Sequence, residues 1–182
     1  AASAWRRSRR LFMLLDRNGG FRPDPWRHLA DDEAPASAEA ITISFKRWQA
    51  EPERWSDRSG PLGLRLPNDV PPASFGPAAP RFALIVLNFP RFIDGRAYSQ
   101  ARLLRGRFGF KGELRAGGNV LRDQLLFMVR CGFDSFEVDA ERARAEDWPR
   151  AFREFDQFYQ PAADHRETIL RQRLRGWQTA AE

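Results

Sequence analysis

Cysteine, histidine and lysine are almost missing from this chain. Cys131 is the sole cysteine, so no intrachain disulfide can form, and one thiolate cannot build a cysteine-based zinc or iron–sulfur centre. That scarcity fits a reducing compartment, and the expected location is the cytoplasm. His28 and His165 are the only histidines and lie far apart, so no metal site is expected. The trio His28, Asp31 and Asp32 reads as a coincidence of spacing rather than a ligand set. Long apolar runs are missing too. Residues 8–12 begin like a twin-arginine export signal, but the apolar run at 11–15 stops at Asp16. An export signal needs roughly 7–15 apolar residues at that point, so export is not expected. Residues 83–87 are far too few to cross a bilayer. There is no G-x-G-x-x-G, no phosphate-loop lysine motif, no G-x-S-x-G, no C-x-x-C and no H-E-x-x-H. No cofactor is therefore expected.

What is present describes a globular α/β protein. The 182 residues are 42% hydrophobic, enough for one core without staples. Residues 1–40 mix arginines with Trp5, Phe12, Phe21 and Trp26 and read as an irregular arm packed on a single domain at 41–182. The net charge is +6, but it is polarised. Residues 101–130 carry seven basic side chains against Glu113 and Asp123, whereas residues 131–164 carry nine acidic ones against four arginines. A basic stretch suits an anionic ligand or an acidic protein partner. Nucleic acid is disfavoured, because aromatics do not interleave with the basic run as a stacking platform requires.

Residues 41–48 open with alternating Ile41, Ile43 and Phe45, the period of a strand. Residues 61–80 hold six prolines and read as loop, with an extended piece at 63–66. Residues 82–89 form a continuous apolar run of β-formers, a strand covered on both faces. Ala97, Ala101, Leu104 and Phe108 then share one helix face. A strand at 113–116, a helix bearing Leu121, Leu125 and Met128, and a strand at 134–138 follow. Trp148, Phe152, Phe155 and Tyr159 suggest a third helix. A last one carries Leu170, Leu174 and Trp177 behind an Asp164/Glu167 capping box. This alternation implies parallel strands joined by helical crossovers. The expected fold is an open or part-barrel, mainly parallel sheet of about five strands, TIM-barrel-like or doubly wound in style.

In such sheets ligands bind beyond the carboxyl ends of the strands. Those ends offer Arg91, Asp94 and Arg96 before one helix, and Gly118 and Asn119 before the next. Helix starts favour anions, and Arg96 can clamp one in bidentate fashion. A sulfate-, sulfite- or phosphate-like group between these turns is one reading; ordinary turns are the other. Separately, Glu113 and Arg115 share one sheet face by the period-two rule, and Glu137 shares it if the strands are neighbours. Charges on a covered face must pair or serve a cavity. Arg102, Arg105 and Arg122 read as solvated. Asp123 and Gln124 follow the second turn, and Cys131 reads as a packed thiol.

Residues 89–92 (Phe-Pro-Arg-Phe), 94–105 (Asp-Gly-Arg-Ala-Tyr-Ser-Gln-Ala-Arg-Leu-Leu-Arg), 112–116, 120–124 and 130–134 run in an order that resembles a bacterial family, domain-of-unknown-function family 934. The likeness extends to residues 66–69 and 158–160 and covers roughly 41–165. Similar proteins are encoded beside the haem-containing sulfite reductase of sulfur assimilation, and some are labelled a probable oxidoreductase. The resemblance thus implies an accessory protein of assimilatory sulfite reduction. Its partner would be the reductase haem subunit or a ferredoxin-type donor, met through the basic surface of residues 91–122. The family-motif positions are Asp94, Arg96, Ser99, Arg102, Glu113, Arg115, Arg122, Asp123 and Gln124. No catalytic residue is implied. A homo-oligomer is compatible with this reading, and no membrane partner is expected.

Overall fold

The computed structural model describes residues 12–35 and 38–179. Trp5 and most of the twin-arginine stretch at 8–12 lie outside them. Within these residues eight strands form one sheet: β1 (Phe12–Asp16), β2 (Phe21–Arg22), β3 (Arg27–His28), β4 (Ile41–Ser44), β5 (Leu62–Leu66), β6 (Leu84–Phe89), β7 (Glu113–Gly118) and β8 (Ser135–Asp139). Their order across the sheet is β2-β1-β8-β7-β6-β5-β4-β3. From β3 to β8 each strand lies parallel to its neighbour in sequence. β1 returns antiparallel along β8 and forms a hairpin with β2. The strand order never reverses within the parallel set. The sheet is therefore singly wound, in the manner of part of a TIM barrel, and not doubly wound.

Chain length shows that the sheet curls. β2 and β3 are its two edges, yet only residues 23–26 join them. The five Cα steps from Arg22 to Arg27 reach at most about 18 Å. Eight flat strands would set the edges about 34 Å apart. The sheet is a half-barrel, and residues 22–26 strap its concave side. Contacts agree: Arg22 reaches Glu113 at 3.0 Å, Asp24 reaches Arg115 at 2.8 Å, and a Cβ on Gly63 would meet the Trp26 ring at 3.3 Å.

Among the described residues six α-helices accompany the sheet: α1 (Phe45–Ala50), α2 (Arg96–Gly106), α3 (Leu125–Cys131), α4 (Ala140–Ala145), α5 (Trp148–Ala151) and α6 (Ile169–Thr179). The main core lies on the outer face of the sheet. Leu64, Leu66, Ile85, Leu87, Leu114, Ala116 and Phe136 from the strands meet Ala97, Ala101, Leu104, Leu125 and Met128 from α2 and α3. Period-two alternation sends the other residues of the same strands inward.

Several sequence expectations change. The sheet has eight strands rather than about five, because residues 12–28, read as arm, supply three short ones. The strand expected at 41–48 stops at Ser44, whose Oγ accepts the Arg47 N–H and caps α1. The helix expected through Tyr159 ends at Ala151. Trp148 and Phe152 are buried, but Phe155 and Tyr159 find no core and stand exposed. Asp164 does not cap α6. Its carboxylate takes Arg130 at 3.2 Å and Arg166 at 3.6 Å, and Thr168 sits at the helix start instead.

Candidate functional site

Register stacks the inward side chains into rows. Ser44, Arg65, Val86, Arg115, Ser135 and Asp16 are successive partners across the sheet. The row on the amino-terminal side reads His28, Thr42, Gly63, Leu84 and Glu113. On the carboxyl-terminal side Asn88 pairs with Gly117, and Leu14 with Glu137. Arg115 and Glu137, the charged residues buried as a whole among those described, both lie on this inner face.

Arg115 is the centre of that charge and is fully buried. Its guanidinium meets Asp24 at 2.8 Å, Glu113 at 3.0 Å and Glu137 at 3.7 Å. Arg65 holds Glu137 at 2.7 Å, and Ser135 Oγ donates to Glu113 at 2.5 Å. With Arg22 on Glu113, three arginines face three carboxylates. Burial alone lowers the Arg115 pKa, but Glu113, Asp24 and Glu137 outweigh it and hold the group firmly charged. A buried cation is tolerable only with such pairing.

Above this network, at the carboxyl ends of the strands, lies an open cavity of about 420 Å³. Phe12, Leu14 and Trp26 give it apolar walls, and Asp24, His28, Arg65, Asn88, Asn119 and Glu137 supply polar groups. Its size is within the range of small-molecule sites. The His28 pKa is lowered, first by burial and then by the Arg65 charge, so the imidazole is neutral at pH 7. Its Nδ1 lies 3.2 Å from the Thr42 carbonyl oxygen. Two glycines make the shape possible. A Cβ on Gly117 would stand 2.8 Å from Glu137 Oε2, and one on Gly118 (φ +92°) would stand 2.5 Å from the Phe89 carbonyl. Among the described residues no cluster of metal-ligating side chains exists.

The sequence-derived candidates divide. Glu113, Arg115 and Glu137 come together as one network, and Gly118 and Asn119 line the cavity. Arg91 and Ser99 are exposed nearby or on α2. Asp94 and Arg96 bind each other at 2.7 and 2.9 Å, with Arg96 also 3.4 Å from Asn68, so the expected clamp closes on its own carboxylate. That pairing, led by the Arg96 hydrogen bond, holds the Asp94 carboxyl well below the usual range. Arg102 and Asp123 are exposed. Arg105 is not solvated: Nε donates to the Gly132 carbonyl at 2.9 Å, Nη1 to those of Phe110 and Gly112, and Nη2 to Asp134. Arg122 binds the Asp147 carbonyl and Glu154, each at 2.8 Å. Gln124 Oε1 accepts the Leu121 N–H at 3.3 Å. Cys131 is buried, and burial pushes its thiol up to about 11, which fits a packed thiol.

Asp24, Trp26, His28, Arg65 and Asn88 were missed. Arg65 had a signal: Gly63 and Arg65 alternate with Leu62, Leu64 and Leu66, as Glu113 and Arg115 alternate with Leu114. The strap residues had none, because their place depends on closure of the sheet.

A singly wound half-barrel with charge on its inner face and an open cavity at its carboxyl end is the class of protein that fold and site define. The chain belongs to the family described as bacterial protein of unknown function (DUF934), which it matches over residues 63–170, more than half its length. No curated protein and no solved structure matches it. Arg65, Asn88, Arg115, Asn119 and Glu137 fall inside the matched region, and Asp24, Trp26 and His28 fall outside it.

Proposed function

We propose that this protein binds a small oxyanion-bearing ligand, of the sulfite, sulfate or phosphate kind, in the mouth of its half-barrel. The observation that carries this reading is the 420 Å³ cavity at the strand ends, with Arg65, His28, Asn88 and Asn119 in its lining. Ligands enter parallel sheets at that end. Three arginines already balance three carboxylates below, so within that class the site suits a singly protonated form such as hydrogensulfite or dihydrogenphosphate, held by hydrogen bonds, better than the sulfate dianion. Trp26, Phe12 and Leu14 would shield those bonds from water. Titration calorimetry with sulfite, sulfate and phosphate tests it. Saturable binding that weakens about tenfold or more in Arg65→Met, the loss of one charge-assisted hydrogen bond, is expected. Absence of binding by all three at millimolar concentration contradicts it.

A second reading is the accessory role in assimilatory sulfite reduction, with the haem reductase subunit or a ferredoxin-type donor as partner. Exposed Arg91, Arg102, Arg107 and Lys111 favour it, since an acidic partner would be steered to them. They do not form one face. α2 runs 11 residues, about 15 Å, away from the cavity end, so Arg91 and Lys111 mark opposite ends of the molecule. Co-purification with the reductase subunit, repeated with Arg102→Glu and Lys111→Glu together, tests this reading.

A further inference from the structure

α6 stands clear of the domain. Every residue from Leu170 to Trp177 is exposed, with Leu170 at 62%, Leu174 at 47% and Trp177 at 72%. A lone helix shorter than about 12–15 residues is marginal in water, so this one needs a surface to lie on. All but its first two residues fall beyond the region matched by the family.

Its chemistry indicates which surface. At 100° per residue Leu170, Leu174 and Trp177 share one stripe about 60° wide. Arg173 flanks the stripe at about 60° on one side and Arg171 at about 100° on the other. Neither arginine pairs with a carboxylate among the described residues, whereas Arg175 holds Glu167 at 2.7 Å. Residues 168–179 contain no Asp or Glu, so two copies of α6 laid face to face repel each other, and the net charge of +6 adds to that repulsion. The charge complement of α6 is an anionic surface.

We propose that α6 is an interfacial helix that docks the protein on an anionic lipid bilayer. Leu170, Leu174 and Trp177 enter the acyl boundary. Arg171 and Arg173 lay their stems along the apolar surface and raise their guanidinium groups to the phosphates. Tryptophan suits the headgroup level, where one edge of the ring is apolar and the other is wet. The helix lies on the membrane and does not span it; no helix among the described residues is long and apolar enough to cross one. The sequence holds no spanning run, which is why no membrane partner is expected from it, but an interfacial helix needs none.

Co-sedimentation of the full chain with lipid vesicles is the test. Vesicles of equal phosphatidylglycerol and phosphatidylcholine should bind at least ~10-fold more protein than phosphatidylcholine alone, and ~0.5 M salt should release it. Leu174→Glu with Trp177→Glu should remove that binding while the thermal melt stays unchanged, since both side chains are exposed. Arg171→Glu with Arg173→Glu should do the same. Failure of the unaltered protein to bind the anionic vesicles overturns the proposal. So does binding that survives the Leu174/Trp177 change. A dimer in sedimentation velocity that the same change dissolves would assign the stripe to a second copy and overturn it as well.

Discussion

The two faces of the sheet are made by the same strands and obey different chemistry. Outward, β5 to β8 present leucine, isoleucine, alanine and phenylalanine to α2 and α3. Inward, one residue away, β5, β7 and β8 present Arg65, Arg115, Ser135, Glu113 and Glu137, and β6 presents Leu84, Val86 and Asn88 between them. The outer face is stabilised by area removed from water, which is tolerant of shape. The inner face is stabilised only if every charge finds its partner, which is not tolerant at all. A fold that needed stability alone would have filled the concavity with apolar side chains. A balanced set of charges lies there instead, beneath an open cavity, and under the proposed ligand binding the inner face would carry specificity while the outer carries stability.

Removing Arg115 tests that division most severely. Arg115→Met leaves Glu113, Asp24 and Glu137 without their shared cation, and a loss of about 3–5 kcal/mol in chemical denaturation is expected. Taking out Arg65 and Glu137 together, as Arg65→Met with Glu137→Leu, should cost less than Arg65→Met alone, because the single change leaves three carboxylates to two arginines whereas the double change keeps the charges balanced. If the double change costs more, the inner face is held by packing and the contrast with the outer face fails.

Two arginines of α2 sharpen the same lesson on the helix layer. Arg105→Glu breaks four hydrogen bonds and sets a carboxylate beside Asp134, so roughly 2 kcal/mol or more should be lost. Arg102→Glu, on the exposed side, should change stability by less than about 0.5 kcal/mol. Equal effects in thermal melts would mean that the bonded arrangement of Arg105 contributes nothing.

Gly118→Ala forces a side chain into left-handed backbone against the Phe89 carbonyl. A cost of roughly 1–3 kcal/mol is expected, together with weaker ligand binding as Asn88 is displaced. The smallest effect concerns pH. Burial and Arg65 lower the folded-state pKa of His28, so the unfolded chain takes up the proton first. Stability should therefore fall as pH drops below about 6.5, until the folded protein also protonates. His28→Gln should flatten that part of the pH profile, and an unaltered slope would show that His28 is not held neutral by the fold.

Much of the frame was legible. The runs at 82–89, 113–116 and 134–138 became strands because continuous apolar character and period two are local signals. The pairing of Glu113 with Arg115 and Glu137 followed from the same period. What stayed hidden was set by closure. Phe21–Arg22 and Arg27–His28 are too short to announce themselves as strands, and they exist because a curled sheet offers them edges. Asp24, Trp26 and His28 join the site only through that strap. Arg105 was misjudged for a related reason: helix periodicity places a side chain on a face but does not say that the Gly132 and Phe110 carbonyls wait there.

The most direct test of the inner-face site is to see where a ligand sits. Backbone amide shifts should be followed by nuclear magnetic resonance while sulfite is added to the intact protein. Saturable shifts confined to Arg65, Asn88, Gly118, Asn119, Trp26 of the strap and His28 of β3 are expected, with α2 silent. Shifts centred instead on Arg91, Arg96 and Arg102, or none at any residue, would contradict the inner-face site.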